Sequence, residues 1–360
     1  MIPLSLYTPI YYFLLLVVVL ITAYALTQRK KGALEVSQTL GLPFLLLLVL
    51  YMGLRPLSSF YFGDMGNYSR MFTAMQTDGV LPVVGEVGWL FSLYMFICGL
   101  FIGTKGWFLL TAVLYCGLAA FAFKLIHGRM AYLAFLMCVA SFSFWAYGTN
   151  GLRNGLACSL VLLGIACSER KWLMGLLFLL AFSTHPSTAL PIAAFVLTTF
   201  YNKPRYYLIG YGAAIILSIS MGEFWVTFIA NLGIFEDGRL SQYLLSDEYA
   251  DQFSSAGFRY DFLLYSLCPI VSGAYYIFEK NYRDPFYLQL FNTYVVANAL
   301  WVLVIQASFS NRFAYLSWFM MSWVIIYPLL KHRLFKKQNL VLAVTIVSYY
   351  AVTYFLFFVL

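Results

Sequence analysis

Charged residues are scarce in this sequence, and their scarcity excludes an ordinary soluble domain. Asp, Glu, Lys and Arg make up 10% of the 360 residues, whereas 62% are hydrophobic and the mean hydropathy is +0.82. Soluble globular domains carry about 25% charged residues. No low-complexity linker and no soluble domain interrupts the apolar runs. We therefore expect the chain to be surrounded mainly by lipid.

Patterns typical of metal sites and disulfide frameworks are also missing. The chain has three histidines and six cysteines, and the cysteines lie in apolar runs without a CxxC pair. This distribution predicts neither a zinc site nor a set of disulfides, and we expect no metal and no cofactor. The net charge of +8 is better explained by membrane topology, so we expect no nucleic-acid partner.

Apolar runs long enough to cross a bilayer recur from end to end. A spanning helix needs roughly 20 mainly apolar residues. The first run lacks the basic region and cleavage site of a signal peptide, so we interpret it as a permanent helix. The sequence predicts an all-α, polytopic integral membrane protein with a single domain over residues 1–360. The apolar runs are 9–27, 40–54, 88–103, 107–123, 131–147, 154–168, 171–184, 187–201, 205–221, 260–278, 286–306, 312–330 and 339–359.

The distribution of basic residues predicts which loops face the cytoplasm. Cytoplasmic loops are rich in Lys and Arg, and most basic residues of this chain fall in a few clusters that we place inside. Two longer loops, about 55–87 and 222–259, then lie outside together with both termini. We expect the second loop to form an amphipathic helix over the membrane. The inner clusters lie at 29–31, 124–129, 170–171, 203–205, 280–283 and 331–337.

One stretch conflicts with this topology. Two apolar runs, 88–103 and 107–123, separate the first outer loop from the inner cluster at 124–129, yet the charge rule allows only an odd number of crossings there. We therefore expect about 12 transmembrane helices, and either one of the two runs is re-entrant or interfacial or one helix is miscounted. A re-entrant segment must be buried or line a cavity. Glu86 precedes the first run and would belong to the cavity wall, unless it is simply an acid favoured by the dipole of a first helical turn.

Three arginines on the predicted outer side stand at the ends of apolar runs. Arg55 follows the second run, Arg153 begins another directly after a Gly/Asn turn, and Arg312 begins a third. A guanidinium can bind two phosphate oxygens at once, and a helix N-terminus adds free backbone N–H groups. An arginine near the membrane core is costly unless it is paired. The pattern favours a site for a lipid-linked phosphate or diphosphate.

These arginines also have simpler interpretations. Each side chain could extend to the membrane interface or cap a neighbouring helix. Gly151 and Gly155 form a GxxxG around Arg153, and this spacing is typical of close helix packing. The residues alone leave both interpretations open.

Two side chains could act as a base in such a site. His185 ends the run 171–184, and Pro186 is expected to end or kink the helix there. Its ordinary pKa of about 6.5 suits proton transfer at neutral pH. Asp64 is the second candidate, and Tyr68 shares its face if this stretch is helical, although the nearby glycines favour a turn as strongly. His185 could instead be a structural polar anchor, and Asp64 a solvated loop acid.

The order of these motifs resembles the EpsG-type family of bacterial polysaccharide polymerases, a branch of the Wzy-like proteins. The resemblance covers most of residues 50–200, and the block 152–187 is its most specific part. Asn154 stands where glutamine is common in the family. The motifs are Gly63-Asp64 with Tyr68, Glu86-Val87-Gly88-Trp89, Leu152-Arg153-Asn154-Gly155-Leu156-Ala157, Glu169-Arg170-Lys171-Trp172, Ala181-Phe182-Ser183-Thr184-His185-Pro186-Ser187, and Asn311-Arg312-Phe313 with Tyr315.

The resemblance implies a reaction and its partners. A growing glycan is transferred from undecaprenyl diphosphate to a sugar hydroxyl of the next lipid-linked repeat unit. The reaction takes place at the outer face of the bacterial cytoplasmic membrane and needs no nucleotide sugar. The lipid-linked oligosaccharide and membrane lipid are the implied partners, with a flippase and a chain-length regulator as candidate protein partners.

The resemblance also implies roles for the candidate residues. Arg153 and Arg312 are expected to bind the diphosphate, with Arg55 as a further contact. The base is expected to be His185 or Asp64, and His185 is slightly favoured. The remaining three, expected to hold sugars or to position an arginine, are Glu86, Tyr68 and Asn154.

Other functions share part of this pattern. A flippase or exporter of lipid-linked glycans would use the arginines without a base, and its cationic lining should reach the inner leaflet. A ligase would differ from a polymerase only in its acceptor. A membrane acyltransferase would show a histidine with an acid in an inner or mid-membrane motif, which is not found here.

Overall fold

The described part of the protein is helical. The computed structural model describes residues 2–28, 32–77, 79, 83, 86, 88–231, 257–307 and 310–359, and no strand occurs among them. The amphipathic helix expected in the loop 222–259 falls mostly on residues 232–256, which lie outside the described residues. The chain divides into two compact units, Met1–His185 with Leu329–Leu360, and Pro186–Pro328.

Unit 1 contains helices from both ends of the chain. Two of them are connected by a short 3₁₀ helix, Gly128–Met130. Its helices are α1 (Leu4–Gln28), α2 (Gly32–Gly53), α3 (Ser59–Phe62), α4 (Met65–Thr77), α5 (Trp89–Gly99), α6 (Thr104–His127), α7 (Ala131–Val139), α8 (Phe142–Thr149), α9 (Leu152–Ala166), α10 (Lys171–Thr184) and the C-terminal α16 (Gln338–Val359).

Unit 2 begins with the 3₁₀ helix Pro186–Thr188. Its longest helix has a non-helical residue, Met221, within it. The helices are α11 (Ala189–Phe200), α12 (Pro204–Asn231), α13 (Tyr260–Ala274, continued by a π-helical turn over Tyr275–Glu279), α14 (Pro285–Leu303) and α15 (Asn311–Lys331), whose last residues belong to unit 1.

The lengths of the helices confirm an all-α, polytopic membrane protein. Eight helical segments of the described chain are long and apolar enough to cross a membrane, and shorter apolar helices accompany them. Helix α6 has 24 residues, whereas α5 has 11. At 1.5 Å per residue α5 is about 16 Å long, well below the ~30 Å of a bilayer's hydrocarbon core. By length, α6 is able to cross such a core, whereas α5 is too short to cross it.

One predicted run does not form a single helix. Residues 131–147 were expected to cross as one segment, but the helix breaks at Ala140–Ser141 into α7 and α8. Ser141 is extended (φ −74°, ψ 144°), its hydroxyl donates to the Met137 carbonyl at 3.4 Å, and its backbone N–H donates to Cys138 O. A serine hydroxyl competes with the helix for backbone groups, and hydropathy does not report this competition.

Helix α9 lies at the centre of unit 1, packed against α6, α8 and α10. A Cβ added to Gly155 would lie 2.7 Å from Tyr147 O and 3.1 Å from Tyr115 Cε2. Ser159 donates to Tyr115 O at 3.0 Å, and the Tyr115 hydroxyl donates to Phe144 O. The close packing suggested by the GxxxG is therefore present at Gly155. Arg153 remains to be explained by its own contacts.

Unit 2 is held together by buried hydrogen bonds between its helices. The Tyr211 hydroxyl donates to Asn298 Oδ1 at 2.9 Å, and Asn298 Nδ2 donates to the Ser317 hydroxyl at 2.9 Å. Trp318 Nε1 donates to the Ser266 hydroxyl at 2.7 Å. Because polar groups in a membrane interior must be satisfied internally, these bonds fix α12, α13, α14 and α15 against one another. They place the N-terminus of α15, which carries Arg312, on a rigid element.

Candidate functional site

Arg153 lies where three distant parts of the chain meet. It is the second residue of α9, which begins after Gly151 as predicted. A Cβ added to Gly88 would lie 3.0 Å from Arg153 Nη1 and 3.0 Å from Thr184 O. The guanidinium of Arg153 therefore lies close to Gly88 and to the carbonyl of Thr184. The guanidinium also lies over the Phe91 ring, 5.6 Å from its centroid. The start of α5, the start of α9 and the end of α10 therefore converge on one side chain.

The conformation of Gly88 permits this convergence. Its φ is +72°, a region that L-residues with a Cβ rarely adopt and that glycine adopts readily. The residue is buried and precedes α5 directly. A side chain here would contact both the guanidinium and the Thr184 carbonyl. Gly88 thus explains why the Glu-Val-Gly-Trp motif contains a glycine at this point.

The guanidinium of Arg153 retains a donor that the protein leaves unused. Its Nε is buried without a hydrogen-bond partner. Asn154, the next residue, likewise has a buried Oδ1 without a partner. Buried polar atoms are nearly always hydrogen-bonded, and an exception requires an explanation. One unused donor and one unused acceptor, on successive residues of the first turn of α9, are consistent with polar ligands there.

His185 lies beside Arg153 at the end of α10. The helix ends at Thr184, and His185 is extended (φ −153°, ψ 115°), which confirms the helix end predicted from Pro186. Burial and, second, the positive charge of Arg153 lower the pKa of His185 from 6.5 to about 3. The imidazole is therefore neutral at physiological pH.

Asp64 is attached to the turn that precedes α9. Its backbone N–H donates to Asn150 Oδ1 at 2.8 Å, and its Oδ1 accepts from Asn67 Nδ2 at 3.0 Å. Gly63 has φ +54°, and a Cβ there would lie 2.3 Å from Asn150 Oδ1. The stretch is a turn at Gly63 followed by α4 from Met65, so Asp64 lies directly before the helix. Its carboxylate is partly exposed.

Tyr68 and Arg55 lie within the packed interior of unit 1. Tyr68 is 7% exposed, and its ring faces those of Phe91 and Trp107, with centroids 5.7 and 6.2 Å away. Arg55 is 4% exposed and donates to two carbonyls, Met52 O at 2.6 Å and Thr149 O at 2.9 Å. Burial lowers the pKa of Arg55 to about 10, which leaves it charged. Both Nη atoms of Arg55 already hold the end of α2 to the end of α8.

Glu86 is exposed and lies before α5, not in its first turn. Helix α5 begins at Trp89, whose backbone N–H donates to Glu86 O at 3.0 Å. The carboxylate is two residues from Gly88.

Arg312 belongs to unit 2, where it lies in the first turn of α15 as predicted, and its side chain is exposed. The Oδ1 of Asn311, the residue before it, is buried without a hydrogen-bond partner. Arg259 directly precedes α13 and forms an ion pair with Asp261 at 2.6 Å. In unit 2, Arg312 and Arg259 therefore both lie at the N-terminal ends of helices.

The sequence motifs predicted some of these neighbours and missed others. Arg153 and His185 are brought together, with Asn154 adjacent in sequence, and Asp64 is joined to the preceding turn through Asn150. Phe91 and the Thr184 carbonyl were not predicted, because an aromatic and a backbone atom in an apolar run carry no distinguishing signal. Arg259 was placed outside with the other arginines but was not singled out. The described residues contain no group of three or more His, Cys, Asp or Glu side chains that could hold a metal ion.

Comparison with known proteins gives one result. The EpsG family model matches residues 40–360. No curated protein and no solved structure matches the chain significantly. The matched range includes Arg55, the convergence of α5, α9 and α10, and the arginines of unit 2. Because the match covers most of the sequence, and because the motif order agrees with it, this chain belongs to the EpsG family, the family of Wzy-like polysaccharide polymerases.

Proposed function

We propose that this membrane protein polymerises lipid-linked oligosaccharide repeat units. The observation that carries the proposal is the convergence of Gly88, Arg153 and the Thr184–His185 segment in unit 1. A guanidinium with an unused buried donor lies beside a neutral imidazole. Transfer of a glycan from a diphosphate needs one group that stabilises an anion and one that accepts a proton.

The proposed reaction is a glycosyl transfer. The oxygen of an acceptor sugar hydroxyl forms a bond to the anomeric carbon of the donor glycan. The bond from that carbon to the diphosphate breaks, and its electron pair leaves with undecaprenyl diphosphate. The hydroxyl proton goes to a base on the protein. Since negative charge grows on the leaving diphosphate, a fixed cation there lowers the barrier.

We assign the diphosphate to Arg153, whose planar fork suits two phosphate oxygens. Arg312 is a further phosphate-binding residue in this proposal, supported by its exposed position at the start of a buried helix. Arg55 positions the end of α2 near the site, since both its Nη atoms are engaged with carbonyls.

His185 is the proposed base. With a pKa of about 3, the imidazole is a weak base in the unliganded protein. Burial is the larger cause of the low pKa, and the charge of Arg153 is the smaller one. A diphosphate bound to Arg153 would offset that charge, and its own negative charge would raise the pKa further. His185 would then become a stronger base only when the donor is in place. Asp64 is the alternative base, supported by its partly exposed carboxylate on the neighbouring turn.

The other polar residues are assigned to sugar binding and positioning. Asn154 offers an unused buried oxygen to a sugar hydroxyl, and Glu86 offers an exposed carboxylate. Tyr68 supports Phe91, which in turn lies under Arg153. We assign the site to the outer face of the bacterial cytoplasmic membrane, and the basic clusters in the opposite loops support this assignment.

Glycan size in cells tests the function. Cells lacking the gene would be complemented with wild type, Arg153→Ala or His185→Ala, and surface glycans separated on a gel. We expect a ladder from wild type alone, with single repeat units accumulating in both variants. Full-length ladders from both variants would contradict the site. Arg129→Ala, an exposed arginine beyond the other end of α6, is the control and should give a normal ladder.

The same experiment separates the alternatives. A flippase has no use for a base, so His185→Ala would leave its activity intact, whereas the polymerase should lose roughly 10²-fold or more. Loss of even the single surface-exposed unit in the deletion strain would favour a flippase or a ligase. Arg153→Lys keeps the positive charge but removes the planar guanidinium, whose paired N–H groups can bind two phosphate oxygens at once. Unchanged activity in Arg153→Lys would refute bidentate phosphate binding.

A further inference from the structure

A cavity in unit 1 lies at the opposite end of α6 from Arg153. The first turn of α6 carries Trp107, which packs against Phe91 below the Arg153 guanidinium. At the last turn, Lys331 Nζ donates to Ile126 O at 2.5 Å. Lys331 lines a cavity of about 720 Å³ between the end of α1 and the connection from α15 to α16. The cavity is thus a separate feature from the proposed active site.

The lining of this cavity has one charged side and one apolar side. Its charged residues are all basic, and no Asp or Glu is among the described residues that line it. Leu26, Leu329 and Leu340 contribute apolar surface. We call this cavity the basic pocket; its four cationic residues are Lys331, Arg333, Lys336 and Lys337.

The cations of the basic pocket are held on a fixed turn. The Gln338 Oε1 accepts from the backbone N–H groups of Leu334 and Phe335 at 3.2 and 3.1 Å. Its Nε2 donates to Leu329 O at 2.6 Å and to His332 O at 3.1 Å. One side chain therefore closes the connection at four points. Because the turn is already ordered, an anion that binds there does not have to order it.

A second bond shapes the same turn. Arg333 Nη2 donates to the backbone carbonyl oxygen of Lys336 at 3.0 Å, which fixes the guanidinium against the turn that also carries Lys336 and Lys337. Like charges on one turn repel one another. A bound anion would reduce that repulsion.

We propose that the basic pocket binds the phosphate headgroup of an anionic phospholipid. Basic pockets between transmembrane helices are typical sites for such headgroups. The flanking helices favour a lipid over a free phosphate, since they present exposed apolar side chains toward the surrounding bilayer, such as Leu20 on α1 and Val344 on α16. The apolar wall of the pocket, with Leu340 exposed, would contact the start of the acyl chains.

Lipid binding to the purified full-length protein in a neutral detergent tests this proposal. Native mass spectrometry would measure the affinity for phosphatidylglycerol, cardiolipin and phosphatidylcholine. We expect the two anionic lipids to bind and phosphatidylcholine not to. The triple variant Arg333→Gln, Lys336→Gln, Lys337→Gln should bind phosphatidylglycerol about tenfold more weakly or worse. The triple variant Lys124→Gln, Arg170→Gln, Lys171→Gln removes as much charge elsewhere and should bind normally.

Several results would overturn the proposal. Equal loss of binding in both triple variants would mean general charge attraction, and equal binding of phosphatidylcholine would exclude headgroup recognition. Inorganic phosphate or poly-glutamate that binds as tightly as phosphatidylglycerol would identify a soluble anion or an acidic protein segment instead. The double variant Lys336→Arg, Lys337→Arg keeps the positive charge and should still bind phosphatidylglycerol. If this variant is folded and does not bind phosphatidylglycerol, the proposal is also refuted.

Discussion

The backbone N–H of Asp64 donates to the side chain of Asn150 at 2.8 Å, although the two residues are 86 positions apart. This bond joins the start of α4 to the turn that begins α9. Arg153 lies three residues after Asn150, so the side-chain amide of Asn150 links the position of Asp64 to the start of the helix that carries Arg153. Asn150 was visible in the sequence only as part of a Gly/Asn turn.

Gly63→Ala should break this connection. A Cβ would lie 2.3 Å from Asn150 Oδ1, and φ at Gly63 is +54°. We expect a lower melting temperature, with a cost of about 1–3 kcal/mol in the free energy of unfolding, and a weaker glycan ladder. Gly79→Ala is the matched control, because Gly79 has φ +63° and nothing within 4 Å. Equal effects of both changes would show that backbone strain alone is responsible.

Gly88→Ala should disable the site with less effect on the fold. The added methyl would meet Arg153 Nη1 and Thr184 O at 3.0 Å, displacing the guanidinium from its place. We expect the long-glycan ladder to be lost, while the protein level on an immunoblot falls only about as far as it does in Gly128→Ala. Gly128 has a positive φ, +56°, with open space around it, so Gly128→Ala is the control for backbone strain and should keep a long-glycan ladder. A normal ladder from Gly88→Ala would contradict the position proposed for the diphosphate.

Stability should fall with acid because of His185. Its folded-state pKa, about 3, lies below the ordinary value of about 6.5, so the unfolded chain binds a proton first as the pH falls. The free energy of unfolding then decreases as the pH falls from about 6.5 toward 3 and is fully restored above 6.5. Melting temperatures measured in detergent between about pH 4 and pH 7 should vary less in His185→Gln than in wild type. Identical pH dependence of the two proteins would count against this assignment.

Arg55→Gln should act on stability. The change removes the donors to Met52 O and Thr149 O, and the cost of leaving buried carbonyls unpaired is about 1–3 kcal/mol each. We expect a lower melting temperature and a ladder reduced in proportion to the amount of folded protein. Arg70→Gln, at an exposed position, is the control. Loss of polymer from a protein of normal stability would instead support direct contact of Arg55 with the diphosphate.

Much of the fold followed from the sequence because hydropathy reports lipid exposure directly. The helix starts at Arg153 and Arg312 and the helix end at His185 were all predicted from Gly, Asn and Pro signals. The break at Ser141 was not, since it depends on a hydroxyl bonding to the preceding turn. The charge rule allowed only one of the two runs 88–103 and 107–123 to cross the membrane and did not say which. Helix length favours α5 as the run that does not span.

The candidate site was only partly predictable. The chemistry of arginine and histidine identified Arg153 and His185 as candidates. Their surroundings depend on the positive φ of Gly88, and no rule of sequence spacing predicts that conformation. Arg55 showed the same charge pattern as Arg153 and yet is engaged with carbonyls. The difference between these two arginines lies in their neighbours, and sequence order does not specify neighbours. The single-domain organisation and the roles of the site residues stay predictions.

Helix α10, which ends close to Arg153, has a consequence for the surrounding bilayer. It has 14 residues, or about 21 Å at 1.5 Å per residue, and its side chains Leu176, Leu179 and Phe182 are exposed. Its apolar length does not match an average hydrocarbon thickness of about 30 Å, and a membrane adapts to such a mismatch by thinning locally. The enzyme should therefore work best in thin membranes, and lipids with longer acyl chains should slow it.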